Sequence, residues 1–581
     1  MSHSTLNEYP FFPQINKNDF YDLVAKELKR ASGNDALKTL LWETEQSISF
    51  EPYFNSSNKL SPEFQTLLKA TSFPSQWNSV LIIDLLRTTD EHLSHIVSTA
   101  KDLGCSEIIL KHFSDQRPNV SKTLNPNFLY GNELKVSHLF SPIQLQGFSL
   151  EPSPIFNIKT HHFYPFITLE SDVKSCFELQ NAHVINPWIS SMELVKMGAS
   201  VSDELASILF LCKEVFTHLI ENPLRSTIQN FSPRFEVFAS GSLYLDILKL
   251  RALRILLTLL NQSIQSQSQE KPNTFHIHFS IPEHLVSIFD AHNNVLRSTV
   301  ACFAGILGGA DTIFLPSYDT KLSNKTESSL RLSLLIHQLL RHESLLGLVN
   351  DAARGSYFFD TATEQFAEVT WKKFLLIEAE GGLSRSLLEG SFGNDLREYA
   401  KKRNVQFQQR KRALVGISKY ADSHEDPTPR EDLMKSNKED FNPSFEFESI
   451  RLKIIDAAKQ RSSPVKVALL LYGDFAKRSA RADFATDVFA SGGIRTERIS
   501  EDESLPKFES YDGIVFCSND ESYLQMVEKF ITLIPESVPV IIAGKQANAQ
   551  ELVSKGISDF IYFGMNVPEF LHKFAEKYIL K

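Results

Sequence analysis

The sequence predicts two parallel-sheet α/β domains in tandem: a (β/α)8 TIM barrel, then a flavodoxin-like doubly wound sheet. Three features predict this. Eight short β-like runs alternate with helical stretches between residues 79 and 315. Five more do so between 465 and 564. Between the two sets lies SKYADSHEDPTPREDLMKSNKEDFNPSF (418–445), rich in charge, Pro and Asn. Strands that alternate with helices pair in parallel, because a parallel connection needs a crossover long enough to hold a helix.

In chain order, residues 1–70 read as an extension suited to wrapping a partner. NDFYDLVAKELKR (18–30) spaces Phe20, Leu23, Val24 and Leu28 at helical intervals. The eight barrel runs are SVLIID (79–84), SEIIL (106–110), KVSHLF (135–140), FYPFITL (163–169), HVINPW (183–188), FEVFAS (235–240), FHIHFS (275–280) and DTIFL (311–315). The clearest helices between them are 200–220 and 242–261. A helical tail is expected from about 327 to 402, so the barrel domain is taken as 71–402. Its end is basic, EYAKKRNVQFQQRKR (398–412), and reads as a solvated surface. Residues 403–460 read as a charged linker. The last domain, 461–581, has the runs VKVALLL, IRTERI, GIVFCS, PVIIAG and DFIYFG.

Composition narrows the class. The chain has 581 residues, 42% hydrophobic and 22% charged, as a packed protein should. A net charge of −10 with no basic stripe argues against nucleic acid. Cys105, Cys176, Cys212, Cys302 and Cys517 form no C-x-x-C and no metal-ligand spacing, a reduced intracellular pattern. MSHSTLNEYPFFPQ lacks the basic start and apolar run of a signal peptide, and no apolar stretch reaches membrane-spanning length. A cytoplasmic protein without a membrane partner is expected.

Residues that carry chemistry are few. GILGGAD (305–311) fits neither phosphate-binding glycine motif and reads as tight helix–strand packing. His276 and His278 share one side of a barrel strand. Facing inward they would meet a ligand; facing outward they would lie under a helix. His161 and His162 are adjacent and point apart, and His337 and His342 miss the i, i+4 spacing of a metal pair. Core or surface placement suits these four. The loop expected after the strand at 466–471 offers Ala476, Arg478 and Arg481 where a ligand edge is expected, with no His, Cys or glycine cradle.

Several long segments, in order, resemble methylmalonyl-CoA mutase. They are SPRFEVFASGSLYLDILKLRALRILL (232–256), RSTVACFAGILGGADTIFLPSYD (297–319), RLSLLIHQLLRHES (331–344), DAARGSYFFDTATEQFAEVTWKKFLLIEAEGGLSRSLLEG (351–390) and RKRALVGISKY (410–420). LLWETEQSISFEPYF and FPSQWNSV are similar to the smaller subunit of the bacterial heteromeric enzymes. The resemblance implies a barrel that holds an acyl-CoA and a last domain that holds adenosylcobalamin through Asp-x-His-x-x-Gly. There the His would bind cobalt and the Asp would fix its tautomer.

Here those positions fall on Ala476, Arg478 and Arg481. In a register shifted onto Asp474 they fall on Ala476 and Ser479 for the His and Gly. No His occurs between His424 and His572, and a guanidinium has no lone pair for cobalt. In the barrel, Ser72 stands at the family's Tyr, Ser75-Gln76 replace Arg-Pro, and Glu193 takes the place of the active-site His, with His183 too far upstream to substitute. His278 matches a family His at a CoA-contacting position.

The resemblance thus implies a non-catalytic small subunit with no catalytic residues. Adenosylcobalamin would be bound by a homologous catalytic large subunit and not by this chain. The complex would interconvert (R)-methylmalonyl-CoA and succinyl-CoA. Two alternatives stay open: a self-sufficient mutase with an atypical cobalamin mode, and a regulatory module whose arginines bind a phosphate or a CoA pyrophosphate.

Overall fold

The computed structural model describes residues 16–27, 38, 40–44, 48–84, 90–112, 135–140, 161–167, 187–221, 232–265, 275–323, 326–431, 433, 441–501 and 506–580. The side chains of the expected histidines 161 and 162 fall outside the described set, and His183 lies outside it altogether.

The N-terminal part has α1 (Lys17–Glu27), a small hairpin β1 (Trp42–Glu43) and β2 (Ser49–Phe50), and α2 (Pro62–Ala70). Ser61 caps α2 by accepting from the Phe64 N–H, and Pro62 starts it without wasting a donor. Phe64 and Leu68 of α2, with Ile48 and Phe50, are buried in the barrel's own core cluster. Residues 48–70 therefore pack on their own barrel, while α1 buries no residue.

Eight parallel strands follow. They are β3 (Asn78–Asp84), β4 (Glu107–His112), β5 (Lys135–Phe140), β6 (His161–Ile167), β7 (Trp188–Ser190), β8 (Arg234–Phe238), β9 (His276–Ser280) and β10 (Thr312–Phe314). They close in sequence order, β10 pairing with both β9 and β3. This is a TIM-barrel-like α/β fold, with strands at all eight places the hydrophobic runs indicate. The helices around it are α3 (Asp90–Asp102), the short α4 (Met192–Lys196), α5 (Val201–Glu221), α6 (Leu243–Gln265), α7 (Asn293–Gly308) and α8 (Glu327–His342). The expected tail starts one helix later than the sequence suggests, because α8 packs beside α3 and α7 as the barrel's own eighth helix.

The tail is α9 (Tyr357–Ala379), α10 (Leu383–Leu388) and α11 (Ser391–Gln408). Helix α9 lies over α5 and α6. That second layer accounts for the buried Arg251 of α6, which pairs with Asp360 of α9 at 2.6 Å. The glycines of GILGGAD serve packing as expected. A Cβ on Gly305 would stand 2.9 Å from Ile313 and Phe279, and one on Gly308 would stand 2.8 Å from Leu250.

Residues 403–460 carry more structure than a linker. They include the end of α11 and all of α12 (Phe445–Gln460). The basic run is not simply solvated, which corrects the sequence reading. Arg403 is buried with its guanidinium 4.4 Å from the Phe441 ring, and the half-buried Arg410 lies against Asp487 and Phe484. These cations hold the connecting segment and the last domain in place, so composition alone mistakes a clamp for a surface.

The last part has β11 (Lys466–Leu471), α13 (Phe475–Ser491), β12 (Arg495–Ser500), β13 (Gly513–Cys517), α14 (Tyr523–Phe530), β14 (Val540–Ala543), α15 (Ala549–Ser554), β15 (Asp559–Ile561) and α16 (Val567–Tyr578). Its five parallel strands run in the order β12-β11-β13-β14-β15. Buried residues from both faces of β11, Val467 and Leu469 on one and Ala468 and Leu470 on the other, enter separate core clusters. The sheet is therefore covered on both sides. Among the described residues no helix is long and apolar enough to cross a membrane.

Candidate functional site

A cavity of about 1390 Å³ opens at the carboxyl end of the barrel strands and reaches α12 and α16. Parallel barrels place ligands at this end, because the βα loops there are free to vary. The segment 441–456 forms its far wall: Phe441 donates its N–H to the Lys196 carbonyl at 2.6 Å, and Glu448 accepts from Ile288 N–H at 2.8 Å. Arg451 stacks 3.8 Å from the Phe289 ring centroid and holds Glu425 at 3.2 Å.

The floor is Glu236. One carboxylate oxygen accepts from Ser190 Oγ at 2.7 Å and Trp188 Nε1 at 3.3 Å; the other accepts from Ser280 Oγ at 3.0 Å and lies 4.0 Å from His278 Nε2. β7, β8 and β9 are neighbours in register, and residues two apart share a face, so these groups converge on the barrel interior. His278 is fully buried just below this floor. Its Nδ1 is 2.7 Å from Thr312 Oγ1 and its ring is 4.9 Å from Trp188. His276 Nε2 meets the same hydroxyl at 3.1 Å. The inward alternative therefore holds for His278, yet it does not line the cavity; Glu236 and Ser280 do. Deeper still, Arg234 clasps Glu107 at 2.9 and 3.0 Å.

Behind the floor, Lys249 bonds Glu204 at 2.7 Å and also the Phe238 carbonyl. Glu204 accepts from Ser191 Oγ at 2.7 Å and Phe238 N–H at 2.8 Å, which fixes the ends of β7 and β8. Nearby Asp246 accepts from Ser240 N–H at 2.8 Å, and burial raises its pKa to about 6. On the wall, His284 packs edge-on to Phe441; burial first, then the cations Arg403, Lys321 and Lys249, hold its pKa well below the usual imidazole value. It presents a neutral imidazole. Buried Lys321 lies 3.9 Å from Glu448. Among the described lining residues, seven carboxylates face four lysines and arginines, so the cavity is net acidic.

The sequence-predicted positions are elsewhere. Ala476, Arg478 and Arg481 are helical, which corrects the expected loop. Asp474 caps α13 by accepting from Lys477 N–H, so the helix starts at Phe475 and takes in all three. Arg478 faces Glu501 at 3.8 Å and Arg481 bonds Asp520 at 3.0 Å. None of the three lines the cavity. Ser72, Ser75 and Gln76 are exposed ahead of β3, at the opposite end of the barrel. Glu193 sits beside the mouth, paired with Lys196 at 2.8 Å. His337 is core and His342 is exposed. Among the described residues, no group of three His, Cys, Asp or Glu side chains is placed to hold a metal. Sequence reasoning missed Glu236, His284 and Lys321, since nothing in their local pattern marks them as convergent.

A parallel barrel whose mouth shares a cavity with helices that flank a second parallel sheet defines an α/β chain with a cleft at the carboxyl end of its barrel strands. The model of the methylmalonyl-CoA mutase family matches residues 169–453. The methylmalonyl-CoA mutase small subunit of Porphyromonas gingivalis is 24% identical over 418 residues, 69% of this chain and 67% of that one. A probable small subunit of Mycobacterium tuberculosis is 26% identical over 303 residues, 51% of this chain and 48% of that one. The Streptomyces virginiae small subunit is 23% identical over 375 residues, 61% and 59% of the two chains. The matches span about half to two thirds of these relatives. The chain is thus similar to methylmalonyl-CoA mutases over about half of its length or more, and small subunits are among its matches.

Proposed function

We propose that this chain is the non-catalytic small subunit of a heterodimeric methylmalonyl-CoA mutase. Its partner is a homologous large subunit that binds adenosylcobalamin, the source of the radical in the interconversion of (R)-methylmalonyl-CoA and succinyl-CoA. Residues 71–402 form the barrel domain, and 461–581 a degenerate cobalamin-type domain of flavodoxin-like order.

One observation carries the reading. The place of the cobalt-binding imidazole falls in the first turns of α13, where Arg478 and Arg481 are engaged by Glu501 and Asp520. These residues do not fit a corrin bound through His. The net acidic cavity supports the same reading, since an acyl-CoA is itself strongly anionic. His278, under the floor, then serves packing through Thr312 and Trp188. The chain's work is to hold the catalytic subunit. Inactive relatives keep cores while pockets drift, because burial constrains the one and chemistry the other. Co-expression with the large subunit tests it. The pair should co-purify and isomerise substrate, and the chain alone should do neither; isomerisation by this chain alone overturns the reading.

A further inference from the structure

The outer faces of α7 and α8 differ from those of α5 and α6. The tail helix α9 covers α5 and α6, and their outward residues are buried. Helices α7 and α8 are neighbours in the ring and carry apolar residues outward too, but among the described residues no further helix lies over them. On α7, Leu296 is 64% exposed and Val300 follows one turn later. On α8, Leu335 and Leu339 project outward, Leu339 54% exposed. Just past α8, Leu345, Leu348 and Val349 are exposed, Leu348 at 76%. Arg331 and His342 sit at the rim of this face. None of the named leucines and valines lines the cavity.

We infer that this α7–α8 face is where the large subunit docks. The inference rests on the small-subunit reading and names the surface that reading requires. Two adjacent 16-residue helices present about 24 Å by 20 Å, on the order of 500 Å² before the 345–349 segment is added. That approaches the ~800 Å² each partner gives to a stable interface, and an apolar centre with a polar rim is the composition of a lasting one. The occupant is another helical layer, as α9 is over α5 and α6. A homologous barrel chain offers such a layer, and docking here leaves the cavity mouth clear.

The test co-expresses the full chain with the large subunit of the same genome and measures affinity by biolayer interferometry. Leu296→Asp with Leu339→Asp should weaken binding by about 100-fold or more, because both carboxylates would be buried unpaired. Leu388→Asp, exposed outside this face, should change it less than about twofold. If circular dichroism shows the aspartate pair unfolded, Leu296→Gln with Leu339→Gln takes its place, with at least a tenfold loss expected. Wild-type binding that neither pair weakens removes the surface and leaves the small-subunit reading intact. An equal loss from Leu388→Asp also removes it. No binding by wild type removes both. Sedimentation of the chain alone decides the remaining occupant: a dimer that the leucine variants dissociate overturns the large subunit in favour of a second copy.

Discussion

Arg481 reaches across the carboxyl edge of the last sheet to bond Asp520 at 3.0 Å, passing so close to Gly544 that a Cβ there would stand 2.9 Å from its guanidinium. The side chain thus occupies the crevice beside β13 and β14 where open α/β sheets bind ligands. The pair is substantially exposed, so Arg481→Ala should cost less than about 1 kcal/mol in urea unfolding. Inorganic phosphate and CoA should bind the wild type and the variant equally weakly in calorimetry. Tight phosphate binding lost in the variant would favour the regulatory alternative.

Lys249 and Glu204 are both buried and bonded at 2.7 Å. Lys249→Met leaves Glu204 without its cation and should destabilise the chain by about 3–5 kcal/mol. Adding Glu204→Gln should return part of that loss. Chemical denaturation of the three variants measures it, and a single variant as stable as wild type would show that the pair does not hold the strand ends.

His337 accepts a hydrogen bond from Trp77 Nε1 at 3.0 Å in the core, and burial lowers its pKa to about 3. The unfolded chain takes up this proton near the ordinary imidazole value of 6.5, the folded chain only near 3. Its contribution is therefore present above that ordinary value and is lost as pH falls toward about 3, at up to about 1.4 kcal/mol per pH unit. His337→Asn should be less stable at neutral pH and show a flatter acid limb in urea midpoints.

Asp246 behaves in the opposite sense. Burial raises its pKa from 3.8 to about 6, so the folded chain holds its proton more tightly than the unfolded one. That contribution is full at low pH and is lost as pH rises through about 6. The stability of wild type relative to Asp246→Asn should fall between about pH 4 and pH 6 and level off above about pH 7, read from thermal midpoints. Parallel profiles would contradict it.

The barrel was legible because each strand is a short apolar run flanked by turn-forming residues, and all eight runs contain or abut observed strands. The glycines of GILGGAD were legible because close packing leaves them no alternative. The floor was not. Glu236, Ser190, Ser280 and Trp188 come from three strands, with up to 92 residues between them, and only the parallel pairing of β7, β8 and β9 joins them. The Arg403 and Arg410 clamps read as surface for the same reason, since their partners Phe441 and Asp487 are 38 and 77 residues away. The start of α13 was misplaced because Asp474 was weighed as part of a metal motif rather than as a cap.

The most direct test of the central claim is a titration of the isolated full chain with adenosylcobalamin in the dark, followed by visible absorbance and calorimetry. The account predicts no saturable binding and no shift of the cobalamin spectrum, with both appearing once the large subunit is added. Saturable binding to this chain alone, with displacement of the cofactor's own base by a protein ligand, would contradict it.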